Sequence, residues 1–389
     1  MRCWVSNEVS NPTSHISNLK RNMKSILYKD WNELELAYSW IRDMKNVPQD
    51  PIHHAEGDVA IHTQMVLQEL MVDKDYQTLN ESEKELLWCA ALLHDVEKRS
   101  TTVIENDGRI TSHGHARRGE LSTREILFKE IPVDFVVREH VAALVRYHGL
   151  PLWILEKLDP LKSLLEASSR VNLRLLYLLA KADVLGRICS DKNEMLERVE
   201  FFKAFCIEQN CWDTSKQFAN GHARFHYFNS ESTAVDYVPF DDLKCEVILM
   251  SALPGMGKDH FIRKHFADYP VVSLDDIRRK HKIDPTDKAA NGWVVQEAKE
   301  QARVYLRRSQ SFVWNATNIT RQMRSQQIDL FSTYQARIKI VYIETSYNQW
   351  LKQNKNRDFA LPQQVMDKML KKLEVPHVFE AHEVEYVIG

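Results

Sequence analysis

The sequence predicts a multidomain protein, an all-α N-terminal domain followed by an α/β domain built on a parallel sheet. Three observations predict this. The chain has 389 residues, more than one ordinary hydrophobic core organises. Through about Phe205 its apolar residues recur at the spacing of amphipathic helices. From Glu246 onward short apolar strands alternate with helical stretches, the pattern of a parallel sheet whose ligands bind at the strand C-termini.

Composition narrows the partners. Lys plus Arg number 52 against 54 Asp plus Glu, so any nucleic-acid contact must come from local basic patches rather than a global field. The basic runs at 278–282 and 303–308 could track a phosphate backbone, and equally read as solvated helix faces. The six cysteines are scattered with no C-x-x-C pair, as expected of small thiols in a reducing compartment. No stretch approaches eighteen consecutive apolar residues, and the N-terminus lacks a charged-then-apolar signal. The expectation is a soluble, cytoplasmic protein with no membrane partner.

Residues 1–30 are polar with little periodicity and form a lead-in. In the first domain, 31–215, Trp31, Leu34, Ala37, Tyr38 and Ile41 predict a helix that Val47-Pro48 ends. A connection carrying His53 and His54 leads to a helix over about 58–72, where Val59, His62, Val66 and Leu70 share one face. Alone, His62 reads as a satisfied core histidine. The next helix changes that reading, because the apolar run Leu86–Leu93 ends in His94-Asp95. A buried carboxylate is costly unless something pairs with it, and a divalent cation would compensate both residues. In the helix over 171–187, Leu176, Leu179, Ala180 and Asp183 share a face, again with a carboxylate where the pattern calls for Leu. His113, His115, His140 and His148 fall between these helices, near helix ends where ligands are often placed.

The set His62, His94-Asp95 and Asp183 resembles the HD superfamily of metal-dependent phosphohydrolases over roughly residues 50–200. The resemblance implies that these four side chains hold a divalent cation and that Lys98 contacts the substrate phosphate. His115 and His148 match positions that in many members either add ligands for a second metal or orient phosphate. Arg117 and Arg118 could hold phosphate or form a solvated basic turn. Such chemistry needs a mixed N/O ligand set with open coordination positions, so that a bound water ionises near neutral pH. Imidazole favours a transition metal over magnesium alone, and ligand types do not distinguish Mn, Co, Ni, Fe and Zn.

Residues 216–243 turn polar and irregular and mark a connector, whose aromatics Phe225, Tyr227 and Phe228 predict a strand-like segment packed on one of the domains. The second domain, 244–389, opens with EVILMSALPGMGKDH at 246–260. An apolar strand runs into Pro254, Gly255, Met256, Gly257 and Lys258, and Asp259 and His260 begin a helix. That is the layout of a phosphate-binding loop for an NTP. Two residues depart from the usual pattern. Ala252 stands where the first Gly is usual and costs flexibility there. Asp259 stands where a hydroxyl residue normally binds magnesium, which is tolerable if its carboxylate ligates the metal directly or through water. Further strands at 270–274, 312–314 and 338–343 deliver Asp275-Asp276, Asn315 and Glu344. Lys258, Asp275 and Asn315 thus converge at strand C-termini.

The segments PGMGKD at 254–259, SLDDIRRK at 273–280, NATNITR at 315–321 and QNKNRDFALP at 353–362 resemble the P-loop polynucleotide kinases. The chain as a whole is similar to the bifunctional HD-domain polynucleotide kinases of bacterial RNA repair. That resemblance implies that Lys258 binds the donor's β/γ-phosphates and that Asp275 is the general base for a 5′-hydroxyl. Arg278 would hold the acceptor's adjacent phosphate. Arg357, in a lid ahead of a helix led by Pro362, would reach the transferring group, with Arg321 and Arg324 as competing lid candidates. On the residues alone, Asp275-Asp276 could merely cap a helix beginning at Ile277, and Arg357 could be a surface charge.

The function implied is RNA end healing. A Mg2+-dependent kinase moves an NTP γ-phosphate to a 5′-OH end of RNA or DNA. A transition-metal hydrolase removes a 2′,3′-cyclic or terminal phosphate, leaving a substrate for an RNA ligase. Two other readings stand beside it: a nucleoside or small-molecule kinase fused to an HD nucleotidase, and a nucleotide-sensing or RNA-binding protein that has lost its chemistry.

Overall fold

The computed structural model describes residues 23, 25–357 and 360–389. Most of the lead-in at 1–30 therefore lies outside the described residues. The chain divides between Gln217 and Phe218 into two compact units.

The N-terminal unit is helical, with α1 Val59–Val72, α2 Glu81–Leu93, α3 His115–Glu125, α4 Phe135–Tyr147, α5 Leu173–Leu185 and α6 Lys192–Glu208. Each start is chemically marked where it matters for the site. Asp58 accepts from the Ile61 amide at the head of α1, Asn80 and Glu83 form a capping box on α2, and Asn172 caps α5. The helix expected at 31–44 is broken at Tyr38, whose extended backbone separates Trp31–Ala37 from Ser39–Arg42. One β-hairpin, β1 Val103–Ile104 with β2 Ile110–Thr111, qualifies the all-α expectation. Val66, Leu70, Leu87, Ala90, Leu176 and Leu179 are fully buried where α1, α2 and α5 pack together.

A buried ion network ties α3 to α4. Arg124 reaches Glu139 at 2.7 Å and Glu120 at 3.0 Å, Arg138 reaches Glu139 at 2.9 Å, and Arg170 reaches Glu120 at 2.5 Å. Deleting one partner of such a network leaves an uncompensated charge and costs about 3–5 kcal/mol. It fixes the first turn of α4, where Arg138 and Glu139 lie, against α3.

The C-terminal unit is built on five parallel strands in the order β4-β5-β3-β6-β7. These are β3 Cys245–Ser251, β4 Val271–Ser273, β5 Phe312–Asn315, β6 Ala336–Glu344 and β7 Glu383–Ile388. Val247, Leu249, Phe312, Trp314, Ile338 and Ile340 form its core, against Val294, Ala298 and Ala302. The strand-like segment expected from Phe225, Tyr227 and Phe228 is instead a helix, α7 Gly221–Asn229, started by Asn220 accepting from the Ala223 amide. Phe225 enters the sheet core, and Arg224 donates to Val378 and His382 carbonyls. The Asn220 side chain caps this helix, and Gly221 leaves room for the His382 carbonyl, with which a Cβ there would collide.

α8 Lys258–His265 follows the glycine loop, and α9 Leu274–His281 follows β4. Ser273, not the aspartates, is the N-cap of α9, so Asp275 and Asp276 lie in its first turn rather than ahead of it. Next come α10 Lys288–Arg307, α11 Arg321–Thr333, α12 Tyr347–Lys355 and α13 Gln363–Leu370. No helix among the described residues is long and apolar enough to cross a membrane.

Candidate metal centre and phosphate-binding loop

Helix ends assemble the first site. His62 lies in the first turns of α1, His94 and Asp95 directly follow α2, and Asp183 lies in the last turn of α5. His115 opens α3 and His148 follows α4. His62, His94 and Asp183 bring one ligand atom each within 4.8 Å of one another, and so do Asp95, His115 and His148.

The imidazoles are oriented from behind. Nδ1 of His94 lies 2.7 Å from the Ala91 carbonyl, that of His115 2.8 Å from Ser112, and that of His148 2.8 Å from Val145. Nδ1 of His62 lies 2.8 Å from Glu56 Oε1, a carboxylate that also meets His54 at 2.8 Å. A ring that donates through Nδ1 presents a lone pair at Nε2. The Nε2 atoms of His115 and His148 nevertheless face each other at 3.2 Å. His94 Nε2 and Asp95 Oδ1 are buried without a hydrogen-bond partner. With Nδ1 of His115 and of His148 each donating to its backbone carbonyl, the two Nε2 lone pairs would converge, an arrangement that fits a cation.

Asp95 stands between the two groups. Its Oδ2 lies 2.8 Å from Lys98 Nζ and 3.2 Å from His94 Nε2, and its Oδ1 lies 3.4 Å from His115 and 3.7 Å from His148. Burial opposes its charge, yet Lys98 and His94 hold the carboxyl well below the usual range. Burial likewise opposes the charge of Asp183, and Arg187 holds its carboxyl well below that range through contacts of 2.7, 2.9 and 3.0 Å. Burial, reinforced by His115, pushes His148 down to about 3, and burial lowers His115 as well. Both rings are therefore neutral at neutral pH, the form that ligates metal. His94 is raised, because Asp95 outweighs its burial.

A cavity of about 480 Å³ opens on this centre, lined by Lys98, Arg146, Tyr147, Trp153, Lys157 and Arg187 among others. A second, of about 310 Å³, adds Gln49, Ile110, His113 and Met195. Lys98 donates to Gln49 at 2.7 Å besides its contact with Asp95. His140 stands apart from the cluster, accepting from the Asn172 amide. Arg118 donates to the Ser100 carbonyl.

The second site lies at the C-terminal edge of β3. Gly255 and Gly257 have φ of 86° and 94°, backbone that glycine adopts without penalty. Ala252 does not share that conformation, and its amide bonds to the Thr317 carbonyl at 3.0 Å, so alanine costs no backbone strain at this position. Met256 is buried, whereas His260 faces solvent. Asn315, at the end of β5, donates to Asp259 Oδ1 at 2.7 Å and fixes the carboxylate that replaces the usual hydroxyl. Burial lowers the Lys258 pKa, opposed by Asp259 and Asp275 and assisted by Arg357. Arg278 donates to Asp275 at 2.5 Å and to Asn291 at 2.6 Å.

α12 and Arg357 just after it lie on the loop. Trp350 donates from Nε1 to the Pro254 carbonyl at 2.8 Å. A Cβ placed on Gly255 would meet Arg357 Cδ and Nη1 at 3.5 Å. Asn354 bonds both the carbonyl and the amide of Leu361, pinning the turn that carries Arg357. Of the competing lid candidates, Arg324 is excluded: it is fully buried and paired with Glu380 at 2.7 and 2.9 Å. Arg321 lies over the Phe379 ring at 5.0 Å.

Residues 59–187 match the family described as HD domain, and residues 247–376 match the family described as AAA domain. The chain joins an HD domain to a P-loop kinase-like domain. Among solved structures, a candidate kinase from Chloroflexus aurantiacus is similar at 12% identity and a TM-score of 0.33. That likeness covers 38% of this chain and 86% of the other.

The HD domain brings His62, His94, Asp95, Asp183, His115, His148 and Lys98 to one centre. Sequence reasoning did not find Glu56 or Arg187, which orient His62 and Asp183. The signal for Arg187 was its position one turn after Asp183, where the side chains meet; Glu56 sits in a loop with no periodicity to mark it. In the kinase-like domain Trp350 and Asn354 were also missed, since both lie on a short, mostly polar helix with no clear apolar period.

Proposed function

We propose that the chain is a two-site enzyme that heals broken RNA ends. The observation that carries this is the glycine loop with Lys258 opening the helix after it, Arg357 against Gly255 and Asn315 on Asp259, in a chain that also gathers a His/Asp cluster beside a cavity lined by Lys98, Arg146, Lys157 and Arg187. Phosphoryl transfer asks a protein mainly for positioning and charge stabilisation, and these residues supply both.

In the kinase-like domain the loop amides and Lys258 would hold the β- and γ-phosphates of an NTP. Asp275 takes the proton of the attacking 5′-hydroxyl as its oxygen bonds to the γ-phosphorus. The bond to the β–γ bridging oxygen breaks and a nucleoside diphosphate leaves. Arg278 holds the adjacent acceptor phosphate, and Arg357 meets charge on the transferring group. Asp259, fixed by Asn315, would hold Mg2+.

In the HD domain His62, His94, Asp95 and Asp183 would hold a divalent transition metal, and His115 and His148 a second, with Asp95 facing both. Bound there, the metal supplies Lewis acidity and a water that ionises near neutral pH. Lys98 positions the substrate phosphate, Glu56 fixes the His62 ring, and Arg187 fixes Asp183. The substrate is a 2′,3′-cyclic or terminal phosphate, and an RNA ligase would take the healed ends.

The acceptor decides between this reading and a small-molecule kinase. Given a γ-labelled NTP, Mg2+, and a 5′-OH oligoribonucleotide beside free nucleosides, the protein is expected to label the oligonucleotide. Label on the nucleosides alone would overturn the polynucleotide assignment.

A further inference from the structure

We propose that Trp153 is a stacking platform for the base of the nucleotide whose phosphate reaches the HD centre. The proposal rests on the phosphohydrolase reading above and names a residue that selects its substrate. Trp40, Trp88, Trp314 and Trp350 are at most 2% exposed, whereas Trp153 is 39% exposed, and the more exposed Trp293 lines neither cavity. It ends the short helix Leu150–Trp153, just after His148 and Gly149. It lines both cavities that adjoin the metal centre, a place it shares with Lys98, His115 and Arg187. An apolar ring open to a cavity beside phosphate-binding groups is the arrangement that holds a nucleotide by its base.

The ring is also held ready. The Arg198 guanidinium lies over it, 5.0 Å from the centroid, and is itself fixed by Glu156 at 3.1 Å and Glu194 at 3.0 Å. A cation held against a tryptophan restrains the ring without blocking its whole surface. Arg198 is therefore committed to the ring and its two carboxylates. Lys157, in the larger cavity, is placed to meet the phosphodiester backbone, and Arg146, 3.8 Å from Glu120 and over the Tyr147 ring, adds positive charge beside it. Glu166, which also lines it, accepts from the Tyr147 hydroxyl at 2.9 Å. Recognition then rests on stacking, which tolerates any base because each has a π-face.

The test uses the full-length protein with Mn2+ and one oligoribonucleotide in two forms, its phosphate-bearing 3′-terminal residue carrying a base or abasic. Trp153→Ala is expected to raise KM for the base-bearing end about 10- to 100-fold, to leave kcat nearly unchanged, and to leave the abasic end unaffected. Trp153→Phe should restore most of the affinity. Equal losses on both forms, or no change on either, would overturn the platform. If the wild type hydrolyses neither form, the phosphohydrolase reading fails, and equilibrium binding of the same two ends in Mn2+ judges the platform. Weakening by Trp153→Ala confined to the base-bearing end supports it, and unchanged or equally weakened binding overturns it.

Discussion

Lys258→Ala is expected to abolish phosphate transfer to a 5′-OH end while leaving phosphate removal at the other end unchanged. Lys258 opens α8 directly after Gly257, which like Gly255 has left-handed backbone, and its ammonium lies in the field of Asp259, Asp275 and Arg357. Removing it deletes the charge that faces the donor phosphates and takes one cation from beside Asp259 and Asp275. Loss of one such electrostatic stabiliser costs about 10²–10³ in kcat, and loss of donor binding adds to it. Arg357→Ala should be milder, because the guanidinium approaches the loop from a separate segment. Rates of 5′ labelling measured beside rates of 3′-end hydrolysis check this. A Lys258→Ala protein that still labels 5′ ends at the wild-type rate would remove the loop from the chemistry.

Asp95→Ala is expected to do the reverse. Asp95 is the only carboxylate among the described residues that faces both His94 and the His115–His148 pair. Without it, Lys98 and His94 lose the partner that offsets their burial, and both proposed cation positions lose a ligand. Metal content and phosphohydrolysis should fall together, by on the order of 10²-fold or more for the metal-dependent rate. Asp95→Asn tests charge against shape, since it keeps the side-chain volume, and should fail nearly as badly. Metal analysis of the purified protein reads the first effect independently of activity. Undiminished metal content in Asp95→Ala would mean that the cluster is not the binding site.

The outline of both units was legible in the residues because burial leaves a period. Val59, His62, Val66 and Leu70 marked the face of α1, and the apolar run before His94 marked α2. Val247 to Met250 marked β3. What was not legible depends on contacts between distant segments. β7, where Val384, Tyr386 and Ile388 alternate with Glu383 and Glu385, finds its place only by pairing with the distant β6, whose Lys339 meets both carboxylates at 2.8 Å. Arg324 and Arg357 look alike as sequence. One is buried on Glu380 and the other lies on Gly255, because α11 packs against β6 whereas Arg357 follows α12, anchored to the loop by Trp350. Asp259 likewise takes its position from a residue far along the chain, Asn315, whose side-chain amide donates to its carboxylate.

The central claim, that one chain carries two separable chemistries for the two ends of a broken strand, is tested most directly on a single RNA bearing a 5′-OH and a 2′,3′-cyclic phosphate. Incubated with NTP, Mg2+ and Mn2+, it should gain a 5′-phosphate and lose the cyclic phosphate, with Lys258→Ala silencing only the first change and Asp95→Ala only the second. An RNA left unaltered at both ends by the wild type, or both changes lost together in one folded variant, would contradict it.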